Sequence, residues 1–195
     1  MSVNNYIQIR DFIELTFEDQ DYYFIQIIKR RKENPDMQTG THVIKCYFID
    51  SVEKFDKKMS EIIDLCYHNN ARAYINLNKR NYKKTALYMI KYLTDLVIAG
   101  QENAAIKAFE LCSGQHAADK NKKWILDVDI KDMNVINKII EDIKYLKPEG
   151  SKVYMTLPTK NGYHIITKPF DPREYSKIHP DHEIHKDNPT LLYIP

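Results

Sequence analysis

The chain has 195 residues, 43% hydrophobic and 29% charged, enough for one large domain or two small lobes that bury a core without disulfide staples. A formal net charge of +2 excludes a bulk polycation, so any nucleic-acid binding must come from a local basic patch. Cys46, Cys66 and Cys112 stand far apart with no C-x-x-C pair, which argues against a zinc ribbon or disulfide framework; with no apolar leader and no apolar run of about 18 residues, the expectation is a reduced, cytoplasmic chain with no membrane partner.

In chain order, residues 22–31 (YYFIQIIKRR) are rich in β-branched and aromatic types and read as a strand. Residues 32–41 hold Pro, Asp and Gly and read as a turn; residues 43–49 (VIKCYFI) return as a second strand. Asp50 and Ser51 stand where a helix cap is wanted, before Phe55, Met59, Ile62, Ile63 and Cys66 at helical spacing. Residues 72–77 (RAYINL) predict a third strand. Residues 82–98 predict a helix with Ala86, Met89, Ile90, Leu93 and Val97 on one face, followed by a helix over 102–112 and a polar loop over 113–122.

The C-terminal part changes character. Residues 123–129 (KWILDVD) form an apolar strand ending in acid, and 132–146 an amphipathic helix stopped by Pro148-Glu149-Gly150. Strands are predicted over 152–157 and 163–168, joined by the turn signal Lys160-Asn161-Gly162. Residues 169–189, with four prolines, read as irregular, and residues 190–194 as a last edge strand. The expectation is an α+β chain with a mostly antiparallel sheet: a single catalytic domain over 1–195, with approximate lobes at 1–112 and 113–195.

Three features carry chemistry. Residues two apart on a strand share a face, so Asp127 and Asp129 present two carboxylates side by side. Such a pair repels itself unless a proton or cation intervenes, and its hard oxygens suit Mg2+ or Mn2+. Taken alone, a D-x-D also fits a strand end whose acids face water. His164 enters its strand just after the turn, sharing a face with Ile166; alone it also fits a structural histidine. Asp187, before the terminal strand, offers a third carboxylate or is simply a turn residue in Asp-Asn-Pro.

As an ordered set, these motifs resemble the archaeo-eukaryotic primase superfamily, including primase-polymerases. WILDVD matches that family's hydrophobic strand ending in D-x-D. TKNGYHII matches its turn and strand with S-x-H, with Gly162 where the small hydroxyl residue is usual. HKDNPTLLY matches its apolar-then-Asp motif, with Lys186 in the apolar position. The resemblance implies an RRM-like sheet packed with an N-terminal α/β module. It implies that Asp127, Asp129 and Asp187 hold Mg2+ or Mn2+, that His164 contacts an incoming nucleoside triphosphate, and that Lys160 and Lys168 hold phosphates. It also implies a single-stranded nucleic-acid template and a separate helicase or replication partner.

Two clusters stand outside these motifs. Arg72, Lys79 and Arg80 lie in one of the densest basic stretches, after Lys29-Arg30-Arg31-Lys32, and either stretch can track a nucleic-acid backbone or be a solvated face. His179, His182 and His185 recur every three residues, but Pro180 breaks the first turn, so the segment reads as a mobile loop. Besides a nucleotidyltransferase, the residues fit a non-catalytic nucleic-acid-binding module or a metal-dependent phosphoesterase.

Overall fold

The computed structural model describes residues 2–117 and 119–195. Its architecture is α+β, with two antiparallel sheets and six α-helices among the described residues. In chain order the elements are β1 (Val3–Asn4), α1 (Tyr6–Thr16), β2 (Asp21–Arg30), β3 (Thr41–Ile49), α2 (Val52–Asn69), β4 (Arg72–Asn81) and α3 (Tyr82–Ile98). A 3-10 turn (Glu102–Lys107) leads into α4 (Ala108–Gln115), then β5 (Trp124–Val128), α5 (Met133–Tyr145), β6 (Val153–Pro158), β7 (Tyr163–Thr167), α6 (Pro172–Ile178), β8 (Glu183–His185) and β9 (Thr190–Ile194).

The first sheet has the order β1-β9-β4-β2-β3. Alternation along β2 and β4 divides its faces. Tyr23, Ile25, Ile27, Ala73, Ile75 and Leu77 pack on Ile9, Phe12 and Ile13 of α1 and Phe55, Met59, Ile62 and Cys66 of α2. The α2 helix starts where the sequence places its cap: the Ser51 hydroxyl accepts from the Lys54 amide at 3.1 Å. It ends at Asn70, whose left-handed backbone (φ 46°) lets its amide reach the last carbonyls.

The second sheet has the order β6-β7-β5-β8, with every neighbouring pair antiparallel. Its elements succeed each other as β-α-β-β-α-β, and both helices lie on one face: Ile136, Ile139 and Ile143 of α5 and Tyr175 of α6 pack on Leu126, Val128 and Ile165. Asp132 caps α5 by accepting from the Asn134 amide at 2.8 Å. On the opposite face Ile125, Leu157 and Ile166 join the core of the first sheet, so the sheets share buried apolar surface. Each such fully buried isoleucine stabilises the fold by about 1.5–3 kcal/mol.

Four expectations are corrected. Residues 169–189 are not irregular: Asp171 caps α6, Pro172 takes its first turn, where a missing N–H costs nothing, and β8 follows. Residues 190–194 form a strand, but not at an edge: β9 lies between β1 and β4, so the last residues of the chain complete the N-terminal sheet and cross the expected lobe boundary. The α1 helix, with Ile9, Phe12 and Ile13 buried, precedes the first predicted element. Helix 82–98 has its expected bounds, but only Thr85 and Leu96 are buried, while Ile90 and Val97 of the expected apolar face are exposed. Among the described residues, no helix is long and apolar enough to cross a membrane.

Candidate functional site

A cleft of about 430 Å3 lies where the helix-free face of the second sheet meets the first sheet. That volume falls in the range of roughly 300–1,000 Å3 usual for small-molecule sites. One wall carries Asp127, Asp129, His164 and His185 with the turn Thr159, Lys160 and Asn161; the other carries Arg30, Lys32, Arg72 and Tyr74. Acid and base thus converge on one cavity from opposite walls.

Asp127 is placed by the apolar run before it. Leu126 and Val128 turn toward α5, which turns Ile125 and Asp127 to the other face. Antiparallel pairing sets Asp127 directly beside His164 of β7. The His164 ring is held at both nitrogens: Nδ1 lies 2.8 Å from the hydroxyl of buried Thr190, and Nε2 lies 3.5 Å from an Asp127 oxygen. Hydrogen bonding from His164 holds the Asp127 carboxyl below its ordinary range, outweighing the cost of burial; the charges of His164 and His185 act in the same direction.

Asp129 lies one residue past the end of β5 and is exposed. The turn before β7 presses on its backbone. The Thr159 amide donates to the Gly162 carbonyl at 2.8 Å, and the Gly162 amide donates to the Thr159 hydroxyl at 3.0 Å. A Cβ on Gly162 would stand 2.0 Å from the Val128 carbonyl oxygen and 2.6 Å from the Ile130 nitrogen. Only a glycine lets the turn sit this low.

Asp187 does not reach the cleft. Arg80 Nη1 binds its Oδ1 at 3.1 Å, and Asn78 Nδ2 donates to the same oxygen at 3.0 Å. Asn76, Asn78 and Arg80 are successive residues on one face of β4, and together they grip the segment between β8 and β9: Asn76 donates to the Asp187 carbonyl and Asn78 to the Lys186 carbonyl. Asn78 also donates to the Lys123 carbonyl at 2.9 Å and accepts from the Lys123 amide at 2.7 Å, fixing the entry to β5.

The basic residues divide as well. Arg72 and Lys160 line the cleft. Lys168 is exposed with its ammonium over the Tyr154 ring, 5.9 Å from the centroid, and does not line it. Lys79 and Arg80 are buried, which corrects their expected role on nucleic acid. Lys79 is paired with Glu18 and Asp21, and Arg80 donates to the Ser113 and Gly114 carbonyls besides Asp187. The three histidines of residues 179–185 also separate. His179 meets Asp142 at 3.0 Å, His182 meets the Tyr175 hydroxyl at 3.1 Å, and His185 alone lines the cleft, on β8 rather than a loop.

Sequence reasoning missed Tyr74 and His185 as cleft residues. The signal for Tyr74 was its i,i+2 relation to Arg72; His185 became legible only once β8 paired with β5, opposite Ile125. Among the described residues, no three His, Cys, Asp or Glu side chains are grouped to hold a metal ion by themselves. Two carboxylates facing an open cleft still suit magnesium, which commonly takes one or two carboxylates and completes its shell with water and substrate phosphate. The donor set therefore fits an ion that arrives with a phosphorylated substrate, not a closed protein cage. Compared with protein families, with curated proteins and with solved structures, the chain matches none.

Proposed function

We propose that the chain is a metal-dependent nucleotidyltransferase resembling a small primase or primase-polymerase, acting on nucleoside triphosphates with a single-stranded nucleic-acid template. The observation that carries this reading is the convergence of Asp127, Asp129 and His164 on one cleft whose opposite wall is cationic. The β-α-β-β-α-β succession with β5 and β7 central supports an RRM-like sheet packed against an N-terminal α/β module, with the acids on the face that its helices leave open.

In this reading Asp127 and Asp129 hold Mg2+ or Mn2+, which supplies charge neutralisation for the triphosphate and the departing pyrophosphate. His164, 3.5 Å from Asp127, orients its carboxylate. Thr190 fixes the His164 ring, and Gly162 sets the height of Asp129. Lys160, which lines the same cleft, adds a positive charge for phosphate.

The test incubates the full chain with Mg2+ or Mn2+, a nucleotide mixture and a single-stranded template. Polymer formation that is lost in Asp127→Asn and Asp129→Asn is the expected result. Nucleotide hydrolysis without polymer would replace this reading by a phosphoesterase. Binding without either product would favour a non-catalytic nucleic-acid-binding module, a second reading supported by the engagement of Asp187 with Arg80, which removes the third carboxylate from the cleft.

A further inference from the structure

The wall opposite the acids has its own organisation. β2 and β4 pair antiparallel with Gln26 opposite Tyr74 and Ile28 opposite Arg72. Arg72 and Tyr74 therefore share a face, and Arg30 reaches the same place from the end of β2. The Tyr74 hydroxyl stands between the two guanidiniums, 3.2 Å from Arg30 Nη1 and 3.5 Å from Arg72 Nη1. Glu33 binds Arg72 through Nη2 and neutralises one of the two charges. The second is left over: among the described residues, no carboxylate is paired with Arg30. Arg72 Nε is buried with no hydrogen-bond partner.

Two guanidiniums gathered on one hydroxyl repel each other, and a buried N–H without an acceptor has given up its hydrogen bond to water. The repulsion falls when a multivalent oxyanion enters. The guanidinium fork matches phosphate geometry better than any other side chain. Lys32 adds positive charge on this wall, and Lys160 faces it across the cleft. We propose that Arg30, Tyr74 and Arg72 form a cradle that binds a phosphoryl group. As the place where a substrate's phosphate is held for transfer, the cradle rests on the nucleotidyltransferase reading. As an anion site it does not, because neither Asp127 nor Asp129 belongs to it. The phosphoryl group comes either from a nucleoside triphosphate or from the backbone of a polynucleotide strand.

The experiment measures binding to the full chain by calorimetry at low ionic strength with a chelator present. Inorganic tripolyphosphate is one probe and a single-stranded oligonucleotide without terminal phosphates the other. Arg30→Gln should weaken binding by about tenfold or more, the loss expected for a charge-assisted hydrogen bond. Arg72→Lys keeps a cation beside Glu33 but removes the fork, and should weaken binding in the same direction. A loss confined to tripolyphosphate identifies the nucleotide as the source, and a loss confined to the oligonucleotide identifies the strand; either supports the cradle. Unchanged affinity for both probes in folded Arg30→Gln and Arg72→Lys overturns the proposal. A wild-type chain that binds but makes no polymer overturns the catalytic reading and leaves the cradle standing.

Discussion

Gly162 rests on the backbone of Asp129: a Cβ built on the glycine would lie 2.9 Å from the Asp129 Cα. The neighbouring atoms are main chain of β5 and its exit, which cannot rotate away as a side-chain tip would. Gly162→Ala must therefore lift the turn or push the acid strand. Overpacking of this kind costs about 1–3 kcal/mol. The variant is expected to unfold at lower denaturant and to lose much of any manganese-induced rise in melting temperature, because Asp129 moves. Gly162→Ser, which adds the same Cβ, is expected to behave the same way. Wild-type denaturant midpoints in both variants would show that the turn has slack the geometry denies.

Asp187 illustrates a different use of a carboxylate. Arg80 has no exposure to solvent, and Asp187 is the one acid that binds it among the described residues. Asp187→Asn leaves that guanidinium without its counter-charge while keeping a hydrogen-bonding side chain. Because the Asp187 side chain is 32% exposed, the cost is expected below the roughly 3–5 kcal/mol for breaking a fully buried pair, at about 1–3 kcal/mol. Equilibrium denaturation measures it directly. A variant of wild-type stability that has lost all metal-dependent activity would return Asp187 to the role of a metal ligand.

The Asp127–His164 contact makes a pH prediction whose sign follows from linkage. The folded-state pKa of Asp127 is lowered from the ordinary value of 3.8, mainly by hydrogen bonding from His164. The ionised form is thus favoured in the folded state. Its contribution is fully present above the unfolded-state value and is lost as pH falls through the lower folded-state value. His164→Ala should move the Asp127 titration back upward, seen by carbon NMR of the carboxyl group, and should make the acid side of the stability profile begin its decline at higher pH. An unmoved Asp127 titration would mean that the 3.5 Å contact carries no weight.

The acid wall was legible in the sequence because it is local. An apolar run ending in D-x-D and a turn leading to His164 lie on neighbouring strands, and strand alternation alone assigns their faces. The cationic wall was not legible, because it depends on which strands become neighbours: β2 beside β4, and β9 inserted next to β4. The same limit explains Lys79 and Arg80. A basic run normally marks a solvated face, yet β4 continues to Asn81, four residues past its predicted end, because Asn76, Asn78 and Arg80 find buried partners at the β8–β9 segment and β5. The α6 helix was missed although its signal was present. Asp171-Pro172 is a cap followed by proline in the first turn, but four prolines within 169–189 mask it by reading as breakers. In α3 the period is right, but periodicity cannot tell whether anything packs on the apolar side.

Thr190 separates the two tasks of His164. Both ring nitrogens have partners within the chain, so a phosphate can reach the ring only by displacing one. The Nε2 contact to Asp127, at 3.5 Å, is the looser; the Nδ1 contact, at 2.8 Å to the buried residue Thr190, is the anchor. Thr190→Val keeps the shape of the side chain and removes that anchor, leaving a half-buried ring nitrogen without its partner at a cost of about 1 kcal/mol. If His164 is a positioned nucleotide contact, the variant should raise the apparent nucleotide constant as the freed ring samples other orientations, and the Asp127 titration should move upward with it. Thr190→Ser restores the hydroxyl and should recover both readouts. A Thr190→Val variant that loses stability but keeps the wild-type nucleotide constant and Asp127 titration would show that Thr190 only fills space beneath the sheet.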